Sequence, residues 1–421
     1  MNPEKVSQGK NIHASLGDTC RQHMKTAAAF FKRPADEPMS SQADVMKMPR
    51  GIFLREKTRT AQRRPECRTG IDNICRCIVP LILGCIIALS VFSSGCTNSA
   101  PPTGTLQNST EITVTDSLGN VVHLPGPASR VVSLNSDATE MLIALEAGNS
   151  IVGVTDTTLK NPQFVPLIPN AVSVGTWDAP SLERILGLQP DAIISYSGYR
   201  LKNADQFERA KIPVIYIDCN RLSTLRNDAR MMGLITGHQN ASERYIQFVD
   251  KWTSYTTQKT NGTPLTPVYI EGYSDYMAQG TNSSIDDLVT FSRGANIAAA
   301  QGKSYVKVTQ EWIIKENPPV IIKVAPDPLP EGKTLDNYRE QIMNRPALAD
   351  VKAIQDGNVY ALNGKVVVGP RAPAGLPLVA SILHPVQFSG TNPSEALDEY
   401  TREFVPGANA TQAISPLPQG S

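Results

Sequence analysis

The sequence predicts an α/β protein made of two similar lobes, each a parallel sheet covered by helices. Three observations carry this. Short apolar runs alternate with helical patterns from Arg130 to Leu362, which is the order of a helix-covered parallel sheet. Two of those runs, Ala192-Ile193-Ile194 and Val320-Ile321-Ile322, are apolar at every position, as in strands buried on both faces. The third observation is a repeat. Gly175–Tyr196 reads as a turn-rich loop, a Ser181 cap, a short helix with Leu182, Ile185 and Leu186 on one face, a break at Pro190 and then the apolar strand. The same order returns 128 positions later: Val308–Ile314 matches Pro180–Leu186, Asn317-Pro318 matches Gln189-Pro190, and Val320–Ile322 matches Ala192–Ile194.

Taken in order, the chain begins with a polar, irregular, basic segment, 1–77, in which Met39, Met46 and Met48 are alternative starts. Residues 1–96 hold 15 Lys and Arg against 8 Asp and Glu, and the rest hold 25 against 31. A net charge of +1 thus conceals a body of net −6. Ile78–Phe92 is apolar and shorter than the roughly 20 residues of a spanning helix. A basic region, an apolar run and then Ser93-Ser94-Gly95-Cys96 describe a secretory signal over 78–96. Ser-Ser-Gly-Cys resembles a lipobox, which makes Cys96 the lipidated first residue of the mature chain. Ser93 stands where that pattern prefers Leu, and an uncleaved anchor is the competing reading. Both tether the body to the outer face of the cytoplasmic membrane. Residues 97–110 are Ser/Thr/Pro/Gly/Asn-rich and read as a flexible tether. Sequons at Asn108, Asn240, Asn261, Asn282 and Asn409 give export weak support.

An N-terminal lobe spans 111–220. It opens with a hairpin, Ile112–Asp116 and Asn120–Leu124 around Ser117-Leu118-Gly119. The strand Arg130–Leu134 follows, then a helix through Leu145 capped by Asp or Ser. Further strands are Ile151–Thr155, Val172–Val174, Ile193–Ser195 and Val214–Asp218. A helical connector, 221–262, holds Leu222–Thr236 and Ala241–Thr257, with Tyr245, Phe248, Val249 and Trp252 at core spacing. The C-terminal lobe and closing helix, 263–405, contain strands Val268–Glu271, Val320–Val324 and Val359–Leu362 and helices Ser284–Ser292, Leu335–Met343 and Pro393–Phe404. Residues 406–421 read as a frayed tail.

Composition excludes several classes. A mildly acidic body is a poor match for nucleic acid, which calls for basic patches. Only Cys219 lies beyond Cys96, so the folded part has no internal disulfide and no cysteine metal cluster. A bare cation needs clustered ligands, and His123, His238 and His384 lie on unrelated segments. Gly302-Lys303-Ser304 resembles the end of a phosphate loop, but Ile297 stands where its first Gly belongs. There is no His-Glu-x-x-His and no Gly-x-Ser-x-Gly, so no catalytic residues and no resident cofactor are expected.

A set of ordered phrases is more specific. They are Asp116-Ser-Leu-Gly-Asn120, Arg130-Val-Val-Ser-Leu134, Pro180-Ser-Leu-Glu183 with Gln189-Pro-Asp191, Val308-Thr-Gln-Glu311 with Asn317-Pro318, Gly357-Asn-Val-Tyr360, and Gly369-Pro-Arg-Ala-Pro373 ahead of Leu383-His384-Pro385. Over residues 111–405 the chain resembles the substrate-binding lipoproteins of the iron-siderophore, haem and vitamin B12 class of ABC importers. The resemblance implies two Rossmann-like lobes joined by one long helix, here Ala241–Thr257, with a ligand cleft between them and little hinge closure. It implies a monomer that captures a metal chelate (a ferric siderophore, haem or a corrinoid) and delivers it to a permease dimer with its cytoplasmic ATPase. A membrane-tethered sensor of the same fold, feeding a signalling partner, is the alternative.

Glu183 and Glu311 match by position the pair that docks on permease arginines. Each lies two residues after a cap, away from the apolar stripe; acids there also serve as helix-dipole partners. For ligand contact, loops at the lobe faces supply Trp177, Tyr196, Tyr199 and Arg200 from the first lobe and Tyr273, Tyr276, Met277 and Arg371 from the second. Aromatic rings give rigid contact area, and arginines meet anionic or catecholate oxygens.

Overall fold

Asp116 organises the entry into the fold: its Oδ1 accepts the N–H groups of Leu118 and Asn120, each at 2.9 Å, and closes a turn in which Gly119 has φ of 80°. This turn joins β1 (Ile112–Thr115) to β2 (Val121–Leu124) in an antiparallel hairpin. The structure is a computed structural model that describes residues 111–406 and 413–416. The signal Ile78–Phe92, Cys96, the tether and the sequons at Asn108 and Asn409 lie outside the described residues.

The first sheet holds β3 (Val131–Ser133), β4 (Ile151–Val154), β5 (Val172–Ser173), β6 (Ala192–Ser195) and β7 (Val214–Tyr216). It is wholly parallel, in the order β5-β4-β3-β6-β7. The order reverses at β3, which makes the carboxyl end of β3 a switch point. The helix Ser136–Ala144 starts there, and its cap is Asn135, not Asp or Ser. The Asn135 side-chain oxygen accepts from Asp137 (2.8 Å) and Ala138 (3.2 Å) N–H, while its amide nitrogen donates to the carbonyls of Ile217 and Asp218. Only an amide can cap the helix and also donate to the end of β7 in this way.

Two helices, Leu225–Thr236 and Gln239–Lys259, lead to the second lobe, and the longer has 21 residues. Its stripe of Tyr245, Phe248, Val249 and Trp252 is buried. It packs on the helix Ala372–Leu383, every residue of which is buried. That helix is illegible in the sequence, because it has no polar face to set a period and carries Pro373 and Pro377.

The second sheet contains β8 (Thr266–Glu271), β9 (Met277–Gln279), β10 (Gly294–Asn296), β11 (Tyr305–Lys307), β12 (Val320–Ala325), β13 (Val359–Asn363) and β14 (Ile414–Ser415). Strands β10, β8, β12 and β13 are parallel. The pairings of β9 with β8, β11 with β9 and β14 with β13 are antiparallel, so the parallel centre has antiparallel margins. Strands β9, β10 and β11, three residues each, gave no sequence pattern. The frayed-tail reading needs correction at Ile414 and Ser415, which are buried and pair with Leu362 and Ala361.

The repeat is built alike in both lobes. Ser181 Oγ accepts the Arg184 N–H at 3.3 Å, and Thr309 Oγ1 accepts the Trp312 N–H at 3.2 Å. Ile185 and Ile313 are fully buried. Gln189 and Asn317, each ahead of a buried proline, both take left-handed backbone with φ of 48° and 44°. One expectation is corrected: Leu186 does not share the buried face but is 37% exposed, as its counterpart Ile314 is 43% exposed. On a helix this short only one residue per turn reaches the sheet.

Candidate functional site

Parallel strands deliver their following loops to one edge of a sheet, and open α/β sheets bind ligands at such edges. Here the loops after β3 and β4 face those after β12 and β13 across a cavity of about 490 Å³. The first lobe contributes Ser136, Thr157, Thr158 and the run Lys160–Phe164; the second contributes Asp327–Leu329, Asn363 and Lys365. The charged groups of the wall are Lys160, Lys365 and Asp327, the last of which accepts the Asn363 amide N–H at 2.9 Å. Phe164, Pro162, Pro328 and Leu329 make the remainder apolar.

The wall continues into a buried ionic seam between the lobes. Lys365 Nζ lies 3.1 Å from Asp137 Oδ1 and 3.7 Å from Glu140 Oε2. Arg371 Nε donates to Glu140 Oε1 at 2.6 Å, and its Nη2 donates to Gln163 Oε1 at 3.0 Å. The Tyr400 hydroxyl donates to the same Glu140 oxygen at 2.9 Å, and Tyr245 on the connecting helix donates to the Pro370 carbonyl at 2.7 Å. Gly369 completes the fit: its φ is 79°, and a Cβ there would lie 3.1 Å from Asp137 Oδ1. Burial pushes the Glu140 carboxyl up, but Arg371 and Lys365 outweigh it and hold the group below the usual carboxylate range. For Asp137 burial wins over Lys365, and its pKa is raised. Burial disfavours the Lys365 cation, yet Asp137 and Glu140 more than compensate, so it stays charged.

The residues singled out in the sequence are distributed as follows. Trp177, Tyr196 and Tyr199 come together: Trp177 meets the Tyr196 and Tyr199 rings edge-on, with centroids 6.0 and 5.2 Å apart. The Tyr196 hydroxyl lies 3.3 Å from Ser136 Oγ, so Tyr196 touches the cavity wall and the other two rings pack behind it. Arg200 lies apart, beside the Tyr216 ring, and lines another cavity of about 510 Å³ between the hairpin and the helix Ala204–Arg209. Tyr273, 60% exposed, packs its hydroxyl against Gly364 and lines a smaller cavity of about 170 Å³ with Asn220 and Tyr305. Tyr276 lies under the Arg345 guanidinium at 4.3 Å within the second lobe, and Met277 begins β9 beside it. Arg371 is buried in the seam. Glu183 and Glu311 are exposed in the first turns of their helices.

Sequence reasoning missed Lys365, Asn363, Lys160, Gln163 and Glu140. Asn363 and Lys365 follow the end of β13, and Lys160–Phe164 follow β4; the carboxyl-end rule, applied to every strand, would have found them. Glu140 carried no signal, because a charge inside a helix normally faces water. Among the described residues no group of three or more His, Cys, Asp or Glu is placed to hold a bare metal ion, and no helix is long and apolar enough to cross a membrane.

Two lobes, a switch-point cavity and a connecting helix define an α/β solute-binding protein. The family model for periplasmic binding proteins matches residues 131–366, across both lobes, and the chain belongs to that family. A Bacillus subtilis protein named as an ABC transporter substrate-binding lipoprotein, YhfQ, is 28% identical over 306 residues, 68% of this chain and 91% of the relative. A vitamin B12-binding protein of Pectobacterium carotovorum is 24% identical over 212 residues, 49% of this chain and 75% of the relative. Among solved structures, the molybdate periplasmic binding protein MolA of Haemophilus influenzae shares the fold, with a TM-score of 0.60 at 19% identity, over 71% of this chain and 99% of that one.

Proposed function

We propose that this chain is the extracytoplasmic solute-binding component of an ABC importer, held at the membrane through Cys96, and that its ligand is a metal chelate or corrinoid. The observation that carries the ligand reading is the cavity of about 490 Å³ between the lobes, which combines two lysines with apolar walls and an adjoining aromatic trio. Cavities of this order suit organic ligands with a few directed polar groups. Lys365, fixed from behind by Asp137, and Lys160 at the wall meet an anionic oxygen-bearing edge. Phe164 and the trio of Trp177, Tyr196 and Tyr199 receive the flat apolar body. Glu183 and Glu311, exposed and equivalent in the two lobes, dock the loaded protein on the permease.

Titration of the purified chain with cyanocobalamin, haemin and a ferric catecholate, followed by tryptophan fluorescence, tests this. Of the three tryptophans Trp252 is buried, Trp312 is half-buried against Tyr269 within the second lobe, and Trp177 is 39% exposed beside Tyr196, so Trp177 is the main reporter. One of the three ligands should quench the signal at a one-to-one ratio, Trp177→Phe should abolish the response, and Lys365→Met should weaken binding about tenfold or more. Silence from all three with the fold intact, or response to molybdate alone, would overturn the chelate reading.

A further inference from the structure

We propose that Leu186 and Ile314 are the apolar anchors of a two-point docking surface whose occupant is the permease dimer. This rests on the docking reading of Glu183 and Glu311 and adds the contact that charges cannot supply. On each helix the aliphatic residue lies three positions after the glutamate, so the two side chains are neighbours on one surface. Ile185 and Ile313 turn fully into the core, and the next residue turns out to water. Both helices are capped and both are anchored by a buried isoleucine, so the exposure belongs to the folded element and not to a frayed end.

Single exposed aliphatic residues are ordinary on protein surfaces. Here the same acid-plus-aliphatic pair recurs at equivalent exposed positions of a repeat whose other shared residues are buried or cap the helix. Arg184 stands where the other copy has Trp312. Placement adds to this. A helix that feeds directly into a strand and packs on its sheet runs back along it, so the first turns of Leu182–Gly187 and Gln310–Glu316 lie toward the carboxyl ends of β6 and β12. Those are the sheet edges on which the cavity opens. Each lobe therefore offers a glutamate toward the edge on which the cavity opens, with its aliphatic neighbour one turn further along the helix. An occupant that fits must present basic side chains around an apolar surface, and must present them twice, as a two-fold dimer does. At such interfaces the apolar centre supplies affinity, whereas the charges set rate and register.

The test uses the full chain and the cognate permease–ATPase complex in nanodiscs. Leu186→Ser with Ile314→Ser should weaken docking about tenfold or more and remove receptor-stimulated ATP hydrolysis. The salt dependence of association, the ligand titration and the melting temperature should stay as in the parent, since neither side chain is in the core. Glu183→Gln with Glu311→Gln should instead flatten the salt dependence. If the serine pair docks normally while the glutamine pair is impaired, the inference fails and the glutamate reading stands. If both pairs dock normally, the glutamate reading itself fails. A concentration-dependent dimer of the purified chain that the serine pair abolishes would assign the surface to a second copy and overturn the permease as occupant.

Discussion

Glu271, inside the second lobe, and Glu140, between the lobes, each gather an arginine, a lysine and a tyrosine hydroxyl around one buried carboxylate. Glu271 is saturated. Arg345 reaches both of its oxygens at 2.8 Å, Lys323 donates at 2.9 Å and Tyr269 at 3.0 Å. Its Arg and Tyr partners lie in the same lobe, and Lys323 faces it from the neighbouring strand. At Glu140, both Arg371 and Tyr400 donate to Oε1, and Oε2 has no hydrogen-bond partner among the described residues, with Lys365 at 3.7 Å. Glu140 belongs to the first lobe, and all three partners follow β13 in the chain, more than 220 positions later. The same chemistry thus serves two purposes. One network completes a lobe core; the other joins two lobes and ends in a lysine on the cavity wall. In such a joint, removing one partner leaves an uncompensated charge buried between the lobes.

Removing one carboxylate at a time separates these purposes. Glu271→Gln leaves Lys323, fully buried, and Arg345 with the exposed carboxylate of Asp275 as their remaining counter-charge, and should cost about 3–5 kcal/mol of stability. Urea unfolding reads this, and the ligand titration should be unchanged at temperatures where the variant is folded. Glu140→Gln should cost somewhat less, about 2–4 kcal/mol, since the carboxylate that Lys365 keeps, Asp137, is buried whereas Asp275 is exposed, and the lost Oε2 had no hydrogen bond. Its signature is in calorimetry: the single transition of the parent should divide into two as the lobes uncouple. A variant that still melts in one transition at the parent temperature would remove the distinction between the two networks. Both carboxyls are held below the usual range, so the stability they contribute is present above the ordinary carboxylate pKa and is lost as pH falls through the folded value.

Asp228 sharpens the comparison from the opposite side. It is 5% exposed, forms no ion pair among the described residues, and has the Thr224 hydroxyl donating to it at 2.8 Å. Burial, only partly offset by the Thr224 hydrogen bond, lifts its pKa from an ordinary 3.8 to about 6. The sign is reversed relative to the two glutamates. Between pH 4 and 6 the folded state binds more protons than the unfolded one, so this group's contribution is full below about pH 4 and is lost as pH rises through about 6. Asp228→Asn should therefore stabilise the protein by about 1–3 kcal/mol at pH 8 and by almost nothing at pH 4. An equal effect at both pH values would show that Asp228 is not the buried, unpaired acid described here.

The sequence by itself determined the lobes, because the features that define them are local. Apolar runs, Ser181 and Thr309 as caps and Pro190 and Pro318 as breaks act on the nearest few residues, and each of these caps is observed. It also brought Trp177, Tyr196 and Tyr199 to notice, since all three lie within one loop–helix–strand unit and the loop that follows it. Fully buried segments were harder. Ala372–Leu383 has no polar face from which to read a period, and the three-residue strands β9, β10 and β11 are stabilised by their neighbours in the sheet and not by their own composition. The site was decided by tertiary structure alone. Glu140, Arg371 and Tyr400 are separated by 231 and 260 positions from Glu140 onward, and no local pattern links charges that meet only when two lobes close around them. Lys365 becomes a wall of the cavity for the same reason: its neighbours in space, Asp137 and Phe164, belong to the other lobe.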